Sequence, residues 1–109
     1  MIINIKPLSV NEAWQGRRFK TNKYKRYIKD MLTILPPLKV PDCKLELEIT
    51  FGLSSVAADI DNPLKCFIDC LQKKYGFDDK MIYRLVVNKD IVKRGKEYIE
   101  FNIINLNGE

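Results

Sequence analysis

The chain has 109 residues, of which 46% are apolar and 30% are charged, and its formal net charge is +5. These values predict one folded domain over residues 1–109 and exclude a disordered chain. No apolar run approaches the ~20 residues of a membrane-spanning helix, and the N-terminus lacks a signal-peptide pattern, so we expect a cytoplasmic protein with no membrane partner.

The chain contains no histidine, and its three cysteines are Cys43, Cys66 and Cys70. The missing histidine excludes Ser-His and Cys-His triads and histidine-ligated zinc, so any chemistry must use Asp, Glu, Lys, Tyr or a metal held by oxygen. An odd number of cysteines without a CxxC motif argues against a disulfide framework. We interpret Cys66 and Cys70, which share a helix face, as small buried residues rather than metal ligands.

The first half of the chain predicts one helix with a strand before it and a strand after it. The segment "IINIKPL" predicts a short first strand, and residues 9–21 predict an irregular, basic loop. From Asn22 onward apolar residues recur at helical spacing, until Pro36-Pro37 ends the helix. The segment "KLELEITF" alternates strictly between apolar and polar residues, which predicts a half-buried strand.

The second half predicts a helix followed by two strands. Asn62 has the properties of an N-cap, Pro63 those of a first helical residue, and Gly76 those of a C-terminal stop. The segments "MIYRLVVNK" and "EYIEFNIINL" predict strands that "DIVKRG" joins as a hairpin. The order β-α-β-α-β-β predicts an α+β fold, a single small domain in which two helices cover one side of a mixed sheet of about four strands.

The positive charge is concentrated near the N-terminus. Residues 1–40 carry nine Lys and Arg against two acids, whereas residues 41–109 carry ten against twelve. Basic side chains neutralise phosphates, and interleaved aromatic rings such as Phe19 can stack on bases. A solvated helix face with Tyr24 and Tyr27 in the core is the alternative, and we favour the core for Tyr27. The candidate nucleic-acid-binding residues are Arg17, Arg18, Lys20, Lys23, Lys25 and Arg26.

Three aspartates flank the second helix. Asp59 and Asp61 are two residues apart before it, so in an extended segment their carboxylates converge. Asp79 follows the helix, whose length of roughly 21 Å separates it from that pair. The three aspartates come together only if the sheet folds back, if a domain-level crossover returns the chain, or if a second subunit supplies Asp79. Carboxylates without histidine suit Mg²⁺, which can polarise a phosphate and activate water.

Lys65 lies one helical turn after Asp61 and could neutralise charge on a phosphate. Each of these residues also has a structural alternative: Lys65 pairs with Asp69, Asp61 caps the helix, and Asp78-Asp79 forms a polar turn. Together with the basic segment, residues 17–29, the acids nevertheless favour metal-dependent nuclease chemistry.

The segment "DIDNPLKCFIDCLQKKYGFDDKMI" resembles the RusA family of Holliday junction resolvases. The resemblance rests on a DxDN motif, a lysine four residues after its second aspartate, an FxDxL helix and a glycine before a DD pair, in that order. It covers residues 59–89.

The resemblance implies a homodimeric endonuclease of bacterial, phage or prophage origin, without a small-molecule cofactor. Such enzymes use Mg²⁺, with Mn²⁺ substituting, to cut four-way DNA junctions by paired symmetric nicks. It implies that Asp59, Asp61 and Asp79 bind the metal, that Lys65 is catalytic, and that Asp69 and Asp78 have supporting roles.

The chain also departs from this pattern. Some members of the family have an arginine-rich loop before DxDN, where this chain has the uncharged segment "SSVAA"; we expect the basic segment to contact the phosphates instead. Two alternatives remain, a non-catalytic module that binds junctions or other DNA, and a small RNA-binding domain. Neither explains the combined DxDN and DD motifs.

Overall fold

The computed structural model describes residues 1–16 and 19–107. The described residues form an α+β fold with two small sheets. The helices are α1 (Val10–Ala13), α2 (Asn22–Ile34) and α3 (Leu64–Tyr75), with a 3₁₀ turn at Asp79–Met81. The strands are β1 (Ile2–Ile3), β2 (Trp14–Gln15), β3 (Phe19–Lys20), β4 (Leu45–Leu53), β5 (Ile82–Ile91) and β6 (Tyr98–Asn105).

The main sheet is mixed and has the strand order β1-β6-β4-β5. Strand β4 runs parallel to β5 and antiparallel to β6, and β6 also pairs with β1 in antiparallel fashion. The strict alternation in β4 buries Leu47, Ile49 and Phe51 on one face, because successive side chains of a strand point to opposite faces. The predicted α+β fold with a mixed four-stranded sheet is therefore confirmed.

The predicted hairpin between the last two strands is wrong. Strand β4 lies between β5 and β6, with Ile49 opposite Val87 on one side and Phe101 on the other. Residues 92–97 therefore cross over the end of β4, through a turn in which the Lys96 N–H donates to the Lys93 carbonyl at 2.9 Å, instead of joining two paired strands. A local turn signal predicts only that the chain reverses direction. The order of strands in the sheet depends on which strands pair, and here the apolar strand β4 pairs with both β5 and β6.

The prediction of an irregular loop over residues 9–21 is also wrong in part. Ser9 caps the short helix α1, its Oγ accepting a hydrogen bond from the Asn11 N–H at 3.2 Å. Strands β2 and β3 then pair as a small hairpin, with Trp14 opposite Lys20. Each strand has only two residues, which is too short to show an alternating pattern in the sequence.

Helix α2 begins and ends as predicted, whereas α3 begins later. The Thr21 Oγ1 accepts a hydrogen bond from the Tyr24 N–H at 3.1 Å, which caps α2. Asn62 is not an N-cap: residues 61–63 form a turn, and α3 starts at Leu64 without a side-chain cap. The carbonyl of Asn62 instead accepts the Val10 N–H at 2.9 Å, a tertiary contact that competes with capping.

The core lies between the helices and one face of the main sheet. Phe67 of α3 makes edge contacts with Phe51 and Phe101, at centroid distances of 6.0 and 5.5 Å. Cys66 and Cys70 are buried beside it, which confirms their interpretation as small core residues. The described part of the chain contains no helix long and apolar enough to cross a membrane.

Candidate active site

The loop that carries Asp59 and Asp61 follows the carboxyl end of β4. The Lys89 Nζ of β5 donates hydrogen bonds to the carbonyls of Val56 and Ala58, at 3.2 and 2.9 Å. These bonds draw the loop over the edge strand β5. Because Ala58 directly precedes Asp59, Lys89 is a positioning residue for the first aspartate.

The same loop is anchored on its other side by α1. The Asn62 N–H donates to the Asp59 carbonyl at 3.2 Å, which closes a turn around Asp61. The carbonyl of Asn62 accepts the Val10 N–H at the start of α1. The segment between β4 and α3 is therefore held by contacts to β5 and to α1, although it contains no helix or strand.

Both carboxylates of the DxDN motif are exposed. Neither Asp59 nor Asp61 uses its side chain in a hydrogen bond or ion pair with another described residue, so the alternative in which Asp61 caps α3 is not realised. Asp59 lines an open cleft of about 230 Å³, together with Glu12 and Glu97. Glu97 is already occupied, accepting hydrogen bonds from the Ser54 Oγ and the Gly95 N–H at 2.9 and 2.8 Å.

Lys65 lies in the first turn of α3, with 66% of its side chain exposed. Its Nζ is 3.6 Å from the Asp69 Oδ1, so the predicted pair between residues 65 and 69 is confirmed. An exposed pair of this kind contributes only about 0–1 kcal/mol. The ammonium group is therefore positioned by Asp69 and can still move onto a phosphate at little cost.

Asp69 is held by two further side chains. The Tyr24 hydroxyl donates to its Oδ2 at 3.3 Å, and the Gln72 amide donates to its Oδ1 at 3.4 Å. Burial raises the pKa of Tyr24, so the hydroxyl remains a donor throughout the neutral range. Asp69 is therefore a fixed partner for Lys65.

Asp79 lies at the opposite end of the sheet from Asp59 and Asp61. The pair follows the carboxyl end of β4, whereas Asp79 precedes the amino end of β5, and the two strands are parallel. Helix α3 adds a separation of about 18 Å for its twelve residues. Accordingly, no group of three His, Cys, Asp or Glu able to hold a metal occurs within residues 1–16 and 19–107.

Asp78 and Asp79 have different surroundings. The Asp78 carboxylate accepts the Lys80 N–H at 3.1 Å, which lowers its pKa and confirms the polar-turn interpretation for Asp78. The N–H of Asp79 donates to the Gln72 Oε1 at 2.8 Å, and both aspartates are exposed. The turn thus presents Asp79 at the surface, three residues before β5 begins.

The donor set at the DxDN motif fits a hard divalent cation. Two exposed carboxylates supply oxygen ligands, and Mg²⁺ binds through one or two carboxylates while keeping several waters or substrate oxygens. The chain has no histidine to compete for the site, and Cys66 and Cys70 are buried. The partly exposed Cys43 precedes the amino end of β4, whereas the acidic loop follows its carboxyl end. Asp59 and Asp61 could therefore hold Mg²⁺ together with a DNA phosphate.

The start of α2, which carries Lys23, Lys25 and Arg26 of the basic segment, lies at the same end of the molecule as this pair. Helices α2 and α3 run in the same direction, because Tyr24 in the first turn of α2 contacts Asp69 in the middle of α3, and the Tyr75 hydroxyl at the end of α3 donates to the Pro36 carbonyl just after α2. Lys23 of α2 forms an ion pair with Glu12, which lines the Asp59 cleft. The start of α2 is therefore adjacent to the acidic loop.

The individual basic and aromatic candidates have different environments. Lys25 and Arg26 are exposed on α2, and Arg17 and Arg18 lie outside the described residues. Tyr24 and Tyr27 are core residues, exposed by 1% and 6%, so neither can stack on a base. Phe19, which is 72% exposed, is the one ring of the predicted set that remains at the surface.

The sequence did not predict three features near this end. Trp14 lies on β2 beside Tyr24. Lys89 holds the Asp59 loop through its hydrogen bond to the Ala58 carbonyl. The basic turn at residues 92–97 reaches the Asp59 cleft, because Glu97 lines that cleft. The composition of the turn was visible, but its location depends on the strand order. Trp14 was detectable as a lone tryptophan in an otherwise polar segment.

A comparison with known protein families finds a match over most of the chain. A family model described as endodeoxyribonuclease RusA matches residues 9–102, which include the hairpin, both long helices, the DxDN loop and most of the main sheet. A search of curated proteins finds no significant match. The family match extends the resemblance at residues 59–89 to most of the chain, and the chain therefore belongs to the RusA family of endodeoxyribonucleases.

Proposed function

We propose that this protein is a Mg²⁺-dependent endonuclease, with Mn²⁺ as a possible substitute, that resolves four-way DNA junctions by paired symmetric nicks. One observation carries the proposal: in a RusA-family chain, the exposed carboxylates of Asp59 and Asp61 lie in the loop that leads into the first turn of α3, where Lys65 is, and this loop adjoins the basic start of α2. Carboxylates for a cation and basic groups for phosphates are the two requirements of metal-assisted phosphodiester cleavage.

Each residue of the site has a defined task. Asp59 and Asp61 hold the cation, which when bound polarises the phosphate and lowers the pKa of water. Lys65 leaves Asp69 and neutralises negative charge that develops on the phosphate oxygens. Lys25 and Arg26 bind the phosphates of the adjoining strand and orient the junction across the site.

A second copy of the chain would supply Asp79. Strand β5 is an edge strand of the main sheet and exposes Tyr83, Leu85 and Ile91. If two β5 strands pair in antiparallel fashion, the amino end of one lies beside the carboxyl end of the other. Asp79 of one copy then lies at the end of the sheet where the Asp59 loop of the other crosses β5. A two-fold dimer of this kind has two such sites, which suits two symmetric nicks.

The decisive experiment uses a labelled immobile four-way junction with Mg²⁺, with Mn²⁺ or with EDTA. We expect paired nicks near the crossover only with a metal, and no cutting by Asp61→Asn, which should still bind the junction. Asp30→Asn, an exposed aspartate in α2, is the matched control and should cut normally. Equal cutting of a linear duplex would contradict junction selectivity, and cutting by Asp61→Asn would contradict the assigned site.

A mixing experiment tests whether the site forms between two chains. Asp61→Asn and Asp79→Asn are inactive alone in this proposal, but their mixed dimer contains one site with both carboxylates intact. Mixing the two variants should therefore restore single nicks. If both carboxylates came from the same chain, each site in the mixed dimer would lack one, and mixing would restore nothing.

The alternative is a module that binds junctions, other DNA or RNA without cutting. The separation of Asp79 from Asp59 and Asp61 within one chain is the observation that favours it, because a monomer would lack a complete acidic site. Tight junction binding with no cutting in Mg²⁺ or Mn²⁺ would support this alternative. Tighter binding of structured RNA than of four-way DNA would identify RNA as the partner.

A further inference from the structure

A second cleft lies beside Lys65, on the side of α3 that faces the β2–β3 hairpin. Its volume is about 420 Å³, within the range of about 300–1,000 Å³ typical of small-molecule sites. The acidic loop does not contribute to it. The lining residues are Trp14, Lys20, Tyr24, Asp69, Gln72 and Lys73.

We propose that this cleft binds one unpaired nucleotide of a DNA strand, with its base stacked on Trp14 and its phosphates beside Lys20 and Lys73. The inference rests on the proposed function for the nature of the strand and for the position of the cleft next to the cutting site. It adds a binding site for an unstacked base, which neither the DxDN motif nor the basic surface of α2 supplies.

The first support is the position of the Trp14 ring. It packs edge-on against Tyr24, with ring centroids 5.6 Å apart and an interplanar angle of 73°. Tyr24 is fixed in the core, yet 36% of Trp14 remains exposed. A large ring that is held on one side and open on the other is suited to base stacking, which tolerates every base because each has a π face.

The second support is the distribution of charge. Lys20 is the register partner of Trp14, so both side chains lie on the same face of the hairpin, and its Nζ is 5.6 Å from the Tyr24 ring centroid. Lys73 follows Asp69 by one helical turn on α3. Lys20 and Lys73 bring two positive charges to the lining against the single negative charge of Asp69, so the cleft attracts a phosphate.

The third support is continuity with the cutting site. Asp69 lines the cleft and also contacts Lys65, so a strand lying along α3 can place one phosphate at Lys65 and the next nucleotide over Trp14. A base within a duplex reaches such a ring only after unstacking, which costs a few kcal/mol, whereas a base at an open branch point has already lost that stacking. The cleft therefore favours branched DNA over a continuous duplex.

The tryptophan itself provides the measurement. Trp14 is the only tryptophan of the 109 residues, so intrinsic fluorescence reports on this cleft directly. We would titrate the Asp61→Asn protein in EDTA with single-stranded oligothymidine, with a blunt duplex and with an abasic oligonucleotide of equal length. We expect strong quenching by the single strand, and weak quenching by the other two because they offer no free base.

Two variants test the affinity that stacking provides, using the anisotropy of labelled DNA. Trp14→Ala should weaken single-strand binding by about tenfold, whereas Trp14→Phe should retain most of it. Equal quenching by the abasic oligonucleotide would overturn the inference. Unchanged single-strand affinity in Trp14→Ala would also overturn it, provided that its circular dichroism matches that of the unsubstituted chain.

The test separates this inference from the proposed nuclease function. If the unsubstituted protein fails to cut junctions but its fluorescence is still quenched selectively by single strands, the nuclease proposal fails and the nucleotide site stands. If it cuts junctions while Trp14→Ala keeps the same preference for junction over duplex in binding, the nucleotide site fails and the nuclease proposal stands.

Discussion

Lys65 has a structural contact in addition to the chemical role that we propose for it. Its contact with Asp69 is an ordinary surface pair between residues one helical turn apart, and on that ground it could be dismissed as structural. Asp69, however, is held by Tyr24 and Gln72, so the pair fixes where the ammonium group rests. Because the pair is weak, it positions Lys65 without preventing its transfer to a phosphate.

We expect Lys65→Ala to lower the single-turnover cutting rate by about 10²-fold or more, as is typical when a group that stabilises developing charge is removed. Junction affinity and the Mg²⁺ concentration for half-maximal cutting should not change. Lys65→Arg, which keeps the charge, should recover part of the rate. A parallel loss of Mg²⁺ affinity in Lys65→Ala would show that the residue acts by organising the carboxylates.

At the scale of elements, strand β4 organises both the core and the site. It pairs with β5 and β6, it buries one face against α3, and it ends where the Asp59 loop begins. Gly52 near its carboxyl end has a specific packing role. The Tyr98 ring of β6 covers it so closely that an added Cβ would lie 2.2 Å from the ring. The Tyr98 hydroxyl then donates to the Asp90 carboxylate of β5 at 2.8 Å, across β4.

Gly52→Ala should therefore displace Tyr98 and break its hydrogen bond to Asp90. We expect the free energy of unfolding to fall by about 1–3 kcal/mol, the usual cost of overpacking, as measured by urea denaturation. In the double variant Gly52→Ala with Tyr98→Ala the clash is absent. Its free energy of unfolding should therefore be higher than the sum of the two single effects predicts. Strict additivity would show that the ring is not the obstacle.

Helix α2 combines two roles on two faces. Tyr24, Tyr27 and Met31 pack in the core, while Lys25 and Arg26 are exposed at the end that adjoins the acidic loop. The sequence left open whether this basic stretch was a solvated helix face or a phosphate-binding surface. The structure confirms the helix face, and the proximity to Asp59 favours phosphate binding as well.

Replacing Lys25 and Arg26 by glutamine should reduce the salt dependence of junction binding. Each phosphate contact contributes about 0.9 to the slope of log K against log salt, so the slope should fall by about 2. The charge-conserving exchange of Lys25→Arg with Arg26→Lys should leave the slope unchanged. Dissociation constants measured at several salt concentrations provide the comparison, and an unaltered slope in the glutamine variant would place the DNA elsewhere.

At the scale of the whole molecule, the environments of the thiols follow from the packing of α3. Burial raises the pKa of Cys70 from 9.0 to about 12, and it also raises the pKa of Cys66, whereas Cys43 is partly exposed. These two thiols are therefore protonated and unreactive in the folded protein at pH 8. They serve the core and not the chemistry of the site.

We expect a thiol reagent at pH 8 to modify Cys43 alone in the native protein and all three cysteines in denaturant. Above pH 9 the thiols of the unfolded chain ionise while Cys66 and Cys70 stay protonated in the fold. The free energy of unfolding should therefore fall as the pH rises from about 9 to 12. Rapid modification of a second thiol in the native state would contradict the burial of this pair.

Local patterns predicted the elements whose signals are contained in a few neighbouring residues. The alternation in "KLELEITF", the Pro36-Pro37 stop and Gly76 each act through the backbone or through the period of side chains, and the structure confirms all three. The start of α3 was predicted one residue early, at Pro63 instead of Leu64, because the carbonyl of Asn62 contacts α1, a partner that the local sequence does not indicate.

The sequence by itself determined the family, the α+β class and the residue types available for chemistry, because the DxDN motif, the lysine one helical turn later and the absence of histidine are facts of order and spacing. Only the tertiary structure decided that β4 separates β5 from β6 and runs parallel to β5, and this parallel pairing places Asp59 and Asp61 at one end of the sheet and Asp79 at the other. It also decided that Tyr24 is buried while Trp14 remains open beside it. Strand order and ring exposure depend on which distant segments pack together, and packing partners far apart in the chain have no local signal.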